Sequence, residues 1–337
     1  MTSNKFNRTI ALDAMGGDIA PAEPVKGAIL AAKEHSVRVL LVGEQDILEA
    51  ELSLHETTDL PIEIVPSEGV IVEGEHPAMA FRQKPKASIF VAANLVKQGM
   101  ADAFVSMGST GAAMAASVLT WGLFPGLERP AIGGNFIGLA PKTTIIDLGS
   151  QVDVKPSQLL SFATLGCTFA RLYLGIKEPR AALLSVGSEQ GKGNRQVQEA
   201  YTLFEKSPLR FVGNVEAHEI FSDKADVIAC DGFVGNILLK FTEGLGVALA
   251  NYLSGSLSSD SRAMKSLAGL ASAAEQGGGP LFGVNGIGII GHGRSKAENI
   301  AHSIFMAEQV ADTGIIDAMR DDLLSTLGTV DTDISEG

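Results

Sequence analysis

Six short segments of this sequence carry residue types suited to chemistry on an anionic substrate, and each follows or adjoins an apolar run. IALDAMGGD (10–18) ends a strand-like stretch in Asp13 and Asp18 around the pair Gly16-Gly17. Those glycines either make a tight turn, with Asp18 capping the next helix, or bring backbone close to a ligand. VSMGSTGAAMAA (105–116) passes through Gly108, Ser109, Thr110 and Gly111 into a run of small residues. Free N–H groups and hydroxyls at that helix start form an anion site, or a plain N-cap with close helix packing. AFRQKPKAS (80–88) sets Arg82, Lys84 and Lys86 before a helix, as a solvated face or as an attractor for phosphate or an acidic carrier. SEQGKGN (188–194) holds Lys192 between glycines, within reach of a phosphate, and Asn194, which can cap or donate. ACDGFVGN (229–236) ends a strand at Asp231, a general base or a cap, and opens a helix at Gly235 and Asn236. GHGR (291–294) presents His292 between glycines at a strand end, as a structural or a functional histidine.

These segments need elements to position them. Nine apolar strands are predicted, starting at Thr9, Val37, Ile62, Ala103, Thr143, Ala181, Arg210, Asp226 and Ile287. Helical patterns separate most of them: 22–35, 45–51, 88–99, 111–123, 156–175, 194–204, 235–253 and 295–324. Continuous apolar runs alternating with helices predict an α/β fold, a mostly parallel sheet covered on both faces. Ligands bind such sheets beyond the carboxyl ends of the strands, where these Gly, Asp, Ser, Asn and Lys residues gather. The reading is one α/β/α domain over residues 1–327 with a projecting helical hairpin at about 235–279. The acidic end, 328–337, is expected to be disordered. The uncharged stretch 103–127 contains Gly108, Gly111, Gly122 and Pro125, which read as strand, turn and helix rather than a membrane span.

Composition excludes several classes. The chain of 337 residues carries a formal charge of −13, so bulk nucleic-acid binding is not expected. The opening glycines lack the GxGxxG spacing, and two carboxylates there would repel a pyrophosphate, which argues against a dinucleotide. SEQGKGN is not a GxxxxGK[ST] loop, and no GxSxG nucleophile elbow is present. No histidine pair has metal spacing, and Cys167 and Cys230 match no metal or redox pattern, so no metal is expected. With no apolar leader, these thiols fit a reducing cytoplasm.

Nine segments appear in a fixed order: IALDAMGGD, PAMAFRQKPKAS, VSMGSTGA, DLGSQVDVKP, SVGSEQGKGN, FVGNVEA, DVIACDGFVGN, GGGPLFGVNG and GHGRS. Together they resemble the bacterial phosphate acyltransferases of phospholipid synthesis, over about residues 9–308. The resemblance implies a Rossmann-like three-layer α/β/α fold akin to phosphotransacetylases and isopropylmalate-type dehydrogenases. It implies transfer of a fatty acyl group from acyl carrier protein to inorganic phosphate by direct attack on the thioester, without cofactor. It further implies a cytoplasmic homodimer that touches the membrane peripherally. In this frame Gly108, Ser109, Thr110 and Gly111 hold phosphate or the oxyanion, and Lys192 and Asn194 add donors. Asp231, Gly235 and Asn236 line the reaction centre, His292 donates to the carbonyl or thiolate, and Asp13, Gly16, Gly17 and Asp18 shape the floor. Arg82 and Lys84 meet phosphate or the carrier's phosphopantetheine. Ser109, Val234 and Gly291 stand where asparagine, threonine and serine are common in the family. The stripe Leu253, Leu257, Met264 and Leu267, with only Arg262 and Lys265 as nearby cations, either touches the membrane or packs in a dimer. The rival readings are a phosphotransacetylase-type enzyme using acyl-CoA and a non-catalytic acyl-carrier or membrane-docking module.

Overall fold

Ile10, Ala11 and Leu12 are fully buried, as expected for a strand covered on both faces, and the chain repeats this device with helices between. The computed structural model describes residues 8–72, 74–75, 77–136, 140–254 and 279–335. In chain order these form β1 (Arg8–Asp13), α1 (Ala22–Glu34), β2 (Val37–Gly43), α2 (Gln45–Leu52), β3 (Ile62–Pro66), α3 (Pro77–Gln83), α4 (Ser88–Lys97), β4 (Ala103–Ser106) and α5 (Thr110–Trp121). There follow β5 (Ala131–Phe136), β6 (Ala140–Ile146), α6 (Pro156–Leu172), β7 (Arg180–Leu184), α7 (Arg195–Lys206), β8 (Arg210–Val215), a 3₁₀ turn (Ala217–Phe221) and β9 (Val227–Ala229). The last elements are α8 (Gly232–Ser254), β10 (Gly279–Phe282), β11 (Ile287–Ile290), α9 (Ala297–Ala311) and α10 (Ile315–Ser335).

The chain divides into two units, Met1–Leu123 with Gln276–Gly314, and Phe124–Glu275 with Ile315–Gly337, where one domain was expected. A chain of this length exceeds the size at which one hydrophobic core keeps growing. Unit one carries strands in the order β3-β2-β1-β4-β11-β10, parallel except for the β10–β11 pair. The chain winds outward from β1 to β2 and β3, then returns to place β4 on the other side of β1. That reversal makes the carboxyl ends of β1 and β4 a topological switch point, the usual crevice of such sheets. Unit two carries β5-β6-β9-β7-β8, parallel except for β5–β6. Each unit is thus a mostly parallel sheet with helices, as the sequence pattern predicts.

Several features differ from the sequence reading, among them α3 (Pro77–Gln83), a helix where none was predicted. Strands β5 and β10 were not anticipated. Gly133 and Gly134 interrupt the first and Gly279-Pro280 opens the second, and both pair antiparallel at points where periodicity is weak. The helix expected over 295–324 is two helices, because Gly314 at φ +65° ends the first turn system before Ile315. Residues up to Ser335 continue α10 where disorder was expected, since extending a helix already anchored by buried Met319 and Leu323 costs little. Helix α8 begins at Gly232, three residues before the expected start. The remainder of the expected hairpin, with Leu257, Arg262, Met264, Lys265 and Leu267, lies outside the described residues, as does the side chain of Leu253.

Candidate functional site

Register builds the site of unit one. Asp13 on β1 is level with Ser106 on β4, and Ser106 with Ile290 on β11. The loops that follow, GGD, MGST and GHGR, therefore leave the sheet side by side. Their glycines allow contacts that side chains would block. A Cβ on Gly16 would lie 2.6 Å from Asp13 Oδ2 and 2.9 Å from the Gly108 nitrogen. One on Gly17, at φ +103°, would meet Met107 Cβ at 3.1 Å and the Gly293 carbonyl at 3.2 Å. Asp18 N–H donates to the Gly293 carbonyl at 2.8 Å. The structure thus brings Asp13, Gly16, Gly17, Asp18, Gly108, Ser109, Thr110, Gly111 and His292 into one cluster of loops.

Asp13 is 2 % exposed, and its charge is managed by a short chain of donors. Gly108 N–H donates to Ser106 Oγ at 3.0 Å, and that hydroxyl donates to Asp13 Oδ2 at 2.7 Å. Met15 N–H donates to the other carboxylate oxygen at 3.3 Å. Burial pushes the Asp13 carboxyl above its ordinary value, and the Ser88 and Ser106 hydroxyls and the Met15 and Gly16 N–H groups oppose the rise without cancelling it. The crevice between Asp13, Ser106, Ile71 and Ser109 encloses about 10 Å³, room for about one water. A tetrahedral anion is too large for this space, and at its rim Ser109 is the N-cap of α5 and makes no side-chain cap bond. The first-turn N–H groups and the Ser109 and Thr110 hydroxyls there form a site for negative charge.

The basic stretch before α4 is largely neutralised. Lys84 Nζ donates to Glu75 at 2.7 Å and to the Val70 carbonyl at 3.1 Å, and Lys86 pairs with Glu68 at 2.6 Å. Lys84 so holds the segment whose Val70 and Ile71 wall the crevice, rather than standing ready for phosphate. Arg82 is exposed on α3.

In unit two, register aligns Ile146 with Ala229 and Ala229 with Leu183, which places the ends of β6, β9 and β7 side by side. Asp231 Oδ1 accepts the Val234 N–H at 2.8 Å and so caps α8. Asn194 Oδ1 accepts the Val197 N–H at 2.9 Å and caps α7, which leaves its amide N–H₂ as the group able to donate elsewhere. Lys192 is exposed and lays its stem over Gly187. Asn236 is exposed and covers Gly149. Gly235 is corrected from a lining residue to a packing one. It is buried, and a Cβ there would overlap the Asp147 carbonyl oxygen.

Asp147 was missed by sequence reading, although it ends the run TTIID just as Asp13 ends TIALD. It is fully buried, and its carboxylate accepts N–H groups from Gly149 (3.1 Å), Ser150 (2.9 Å), Gln151 (2.8 Å) and Ile132 (3.3 Å), and the Ser150 hydroxyl. Burial raises this carboxyl as well, against those hydrogen bonds. Gly232 N–H donates to the Gln151 carbonyl at 2.7 Å, so the loop that Asp147 organises seats the first turn of α8. The cysteines are packing groups. Burial, with Asp226 and Asp322, pushes the Cys167 thiol up to about 12, and burial with Asp147 and Asp231 pushes Cys230 well above its ordinary range. Among the described residues no group of three or more His, Cys, Asp or Glu side chains could hold a metal ion.

Comparison with known proteins places the chain in a family. The model of the family described as fatty acid synthesis protein matches residues 8–318. The phosphate acyltransferase of Moorella thermoacetica is 44% identical over 322 residues, covering 93% of this chain and 95% of that protein. The phosphate acyltransferase of Heliobacterium modesticaldum is 44% identical over 323 residues, covering 93% and 96%. Among solved structures, a phosphotransacetylase from Streptococcus pyogenes aligns with a TM-score of 0.61 at 17% identity, covering 92% of this chain and 96% of that one, which establishes the Rossmann-like α/β fold. With one family matched over nearly its whole length and full-length relatives at this identity, the chain belongs to the fatty acid synthesis protein family.

Proposed function

We propose that this chain is a phosphate acyltransferase that moves a fatty acyl group from acyl carrier protein to inorganic phosphate. The observation that carries the reading is the cluster of three glycine loops around the open N-terminus of α5, in a chain 44% identical to phosphate acyltransferases. A phosphate oxygen attacks the thioester carbonyl carbon, the carbon–sulfur bond breaks, and the carrier thiolate leaves and takes up a proton. Products are acyl phosphate and free carrier. Two negative charges must be stabilised, the phosphate and the developing oxyanion, and backbone N–H groups with hydroxyls do this without reorganising. The α5 N-terminus, with Ser109 and Thr110, is the anion site of unit one, and His292 is its added donor. Lys192, the Asn194 amide and Asp231 are the polar groups of unit two.

The finer expectations are part of the same proposal. The chain works in the cytoplasm as a homodimer with peripheral membrane contact. What supports a dimer or membrane contact is α8: its window Gly232–Leu249 is apolar enough to cross a bilayer, yet only 11% of it is buried, and Phe233, Leu245, Val247 and Tyr252 are 45–79% exposed. A core helix of this composition would be covered, so a second surface is expected on it.

The test is release of carrier thiol from palmitoyl-acyl carrier protein with and without phosphate, trapping the product with hydroxylamine. Phosphate-dependent release with a trapped hydroxamate is expected. Release from acyl-CoA but not from the carrier would replace the reading by a phosphotransacetylase-type one, and silence with both would refute acyl transfer to phosphate.

A further inference from the structure

Unit two contains a cavity of about 730 Å³ beyond the ends of β7, β8 and β9, within the ~300–1,000 Å³ of small-molecule sites. Leu159, Leu184, Val197, Ile237 and Phe241 are among the side chains that wall it, from α6, β7, α7 and α8. We propose that this cavity takes the alkyl chain of the acyl donor, an inference that rests on the acyl-transfer reading and names where that chain goes.

Three observations select an alkyl chain. Among the described residues no lysine or arginine lines the cavity, and the carboxylates of Glu216 and Asp231 stand beside its apolar walls, which disfavours a nucleotide or a multiply charged phosphate in its interior. Ile237 and Phe241 of α8 line it and are 53% and 65% exposed, so an alkyl chain in the cavity would cover apolar surface that none of the described residues covers. The polar edge is also suited to a thioester. Ser185 lines the cavity, and its Oγ is buried with no hydrogen-bond partner among the described residues. A carbonyl oxygen at the head of the chain supplies the acceptor that this hydroxyl lacks.

The test fills the cavity from its outer wall. Ile237→Trp and, independently, Val197→Trp are assayed for kcat/KM with octanoyl- and palmitoyl-acyl carrier protein, by hydroxylamine trapping. Binding of palmitate alone is followed by calorimetry on the same proteins. Each methylene kept out of an apolar site costs about fourfold, so four displaced methylenes lower the palmitoyl-to-octanoyl ratio about 200-fold. Palmitate binding weakens in parallel. An unchanged ratio in both variants, or palmitate binding that survives in both, would overturn the proposal. So would a change in oligomeric state with the chain-length ratio intact, which would make this face a contact between two copies of the chain. If the wild type makes no acyl phosphate from either donor, the acyl-transfer reading fails by itself. Palmitate binding in the wild type and its loss in the variants then still decides the cavity.

Discussion

Replacing Ser106 by alanine tests the electrostatics of the glycine-loop cluster. The fully buried hydroxyl donates to Asp13 Oδ2 at 2.7 Å and accepts the Gly108 N–H at 3.0 Å. A hydrogen bond to a charged group contributes about 1.5–3 kcal/mol, and a buried N–H left without a partner costs about 1–3 kcal/mol more. Ser106→Ala should therefore destabilise the protein by about 3–5 kcal/mol at pH 8. The sign of its pH dependence follows from Asp13, whose carboxyl burial has already raised. A raised carboxyl binds its proton more tightly in the folded state, so the cost of burying its charge is absent below the unfolded value and complete above the folded one. Losing the Ser106 donor raises the folded value further. The gap between variant and wild type should widen as pH rises through that range and narrow in acid. Urea denaturation at pH 5 and pH 8 measures it. In the Asp13→Asn background the same alanine removes only a neutral bond, so the two substitutions should couple by about 1–2 kcal/mol. A Ser106→Ala penalty that is equal at both pH values and in both backgrounds would refute the argument.

Glycine substitutions separate packing from flexibility on one helix. Gly235→Ala sets a methyl against the Asp147 carbonyl and should lower stability by more than about 2 kcal/mol, whereas Gly244→Ala, with open space around it, should raise stability by about 0.5–1 kcal/mol in the same melts. Burial pushes the Asp226 carboxyl up, but the Arg180 fork at 2.8 and 2.9 Å outweighs it and holds it below the usual range. Its stabilisation is complete above the unfolded value and lost as pH falls through the folded one. Asp226→Asn should cost about 2–3 kcal/mol at pH 7 and progressively less in acid, and equal penalties at pH 7 and pH 3 would count against the pair. Asn194→Ala should cost about 1 kcal/mol of stability as a lost helix cap. Exposed Lys192→Ala should leave the melting point in place and raise the KM for phosphate about tenfold, as expected for one lost donor to an anion, and an unchanged KM would remove Lys192 from the site.

What the sequence alone determined is the repeating local grammar. Buried apolar runs at Ile10–Leu12, Ala103–Val105 and Ala181–Leu183 specify parallel strands, because only a sheet covered on both faces tolerates unbroken hydrophobic runs. Glycine and small polar residues directly after those runs mark the ligand-facing ends, and their order along the chain was enough to point to the family. Local pattern did not reveal β5 and β10, whose glycines and proline read as loop until a neighbouring strand supplies the hydrogen bonds. Nor could it rank the polar residues at the strand ends. Asp13 and Asp147 follow similar runs, yet one carboxylate sits beneath a helix N-terminus with Ser106, and the other accepts three backbone N–H groups of the loop that follows it and one from Ile132 on β5. Lys84 and Asn194 had the composition of phosphate ligands, and the fold engages them with Glu75 and with the first turn of α7. A side chain's type sets which interactions it can make. Which of them it makes depends on the partners that the fold brings within hydrogen-bond distance, and for Asp13 that partner, Ser106, lies 93 residues away in the chain.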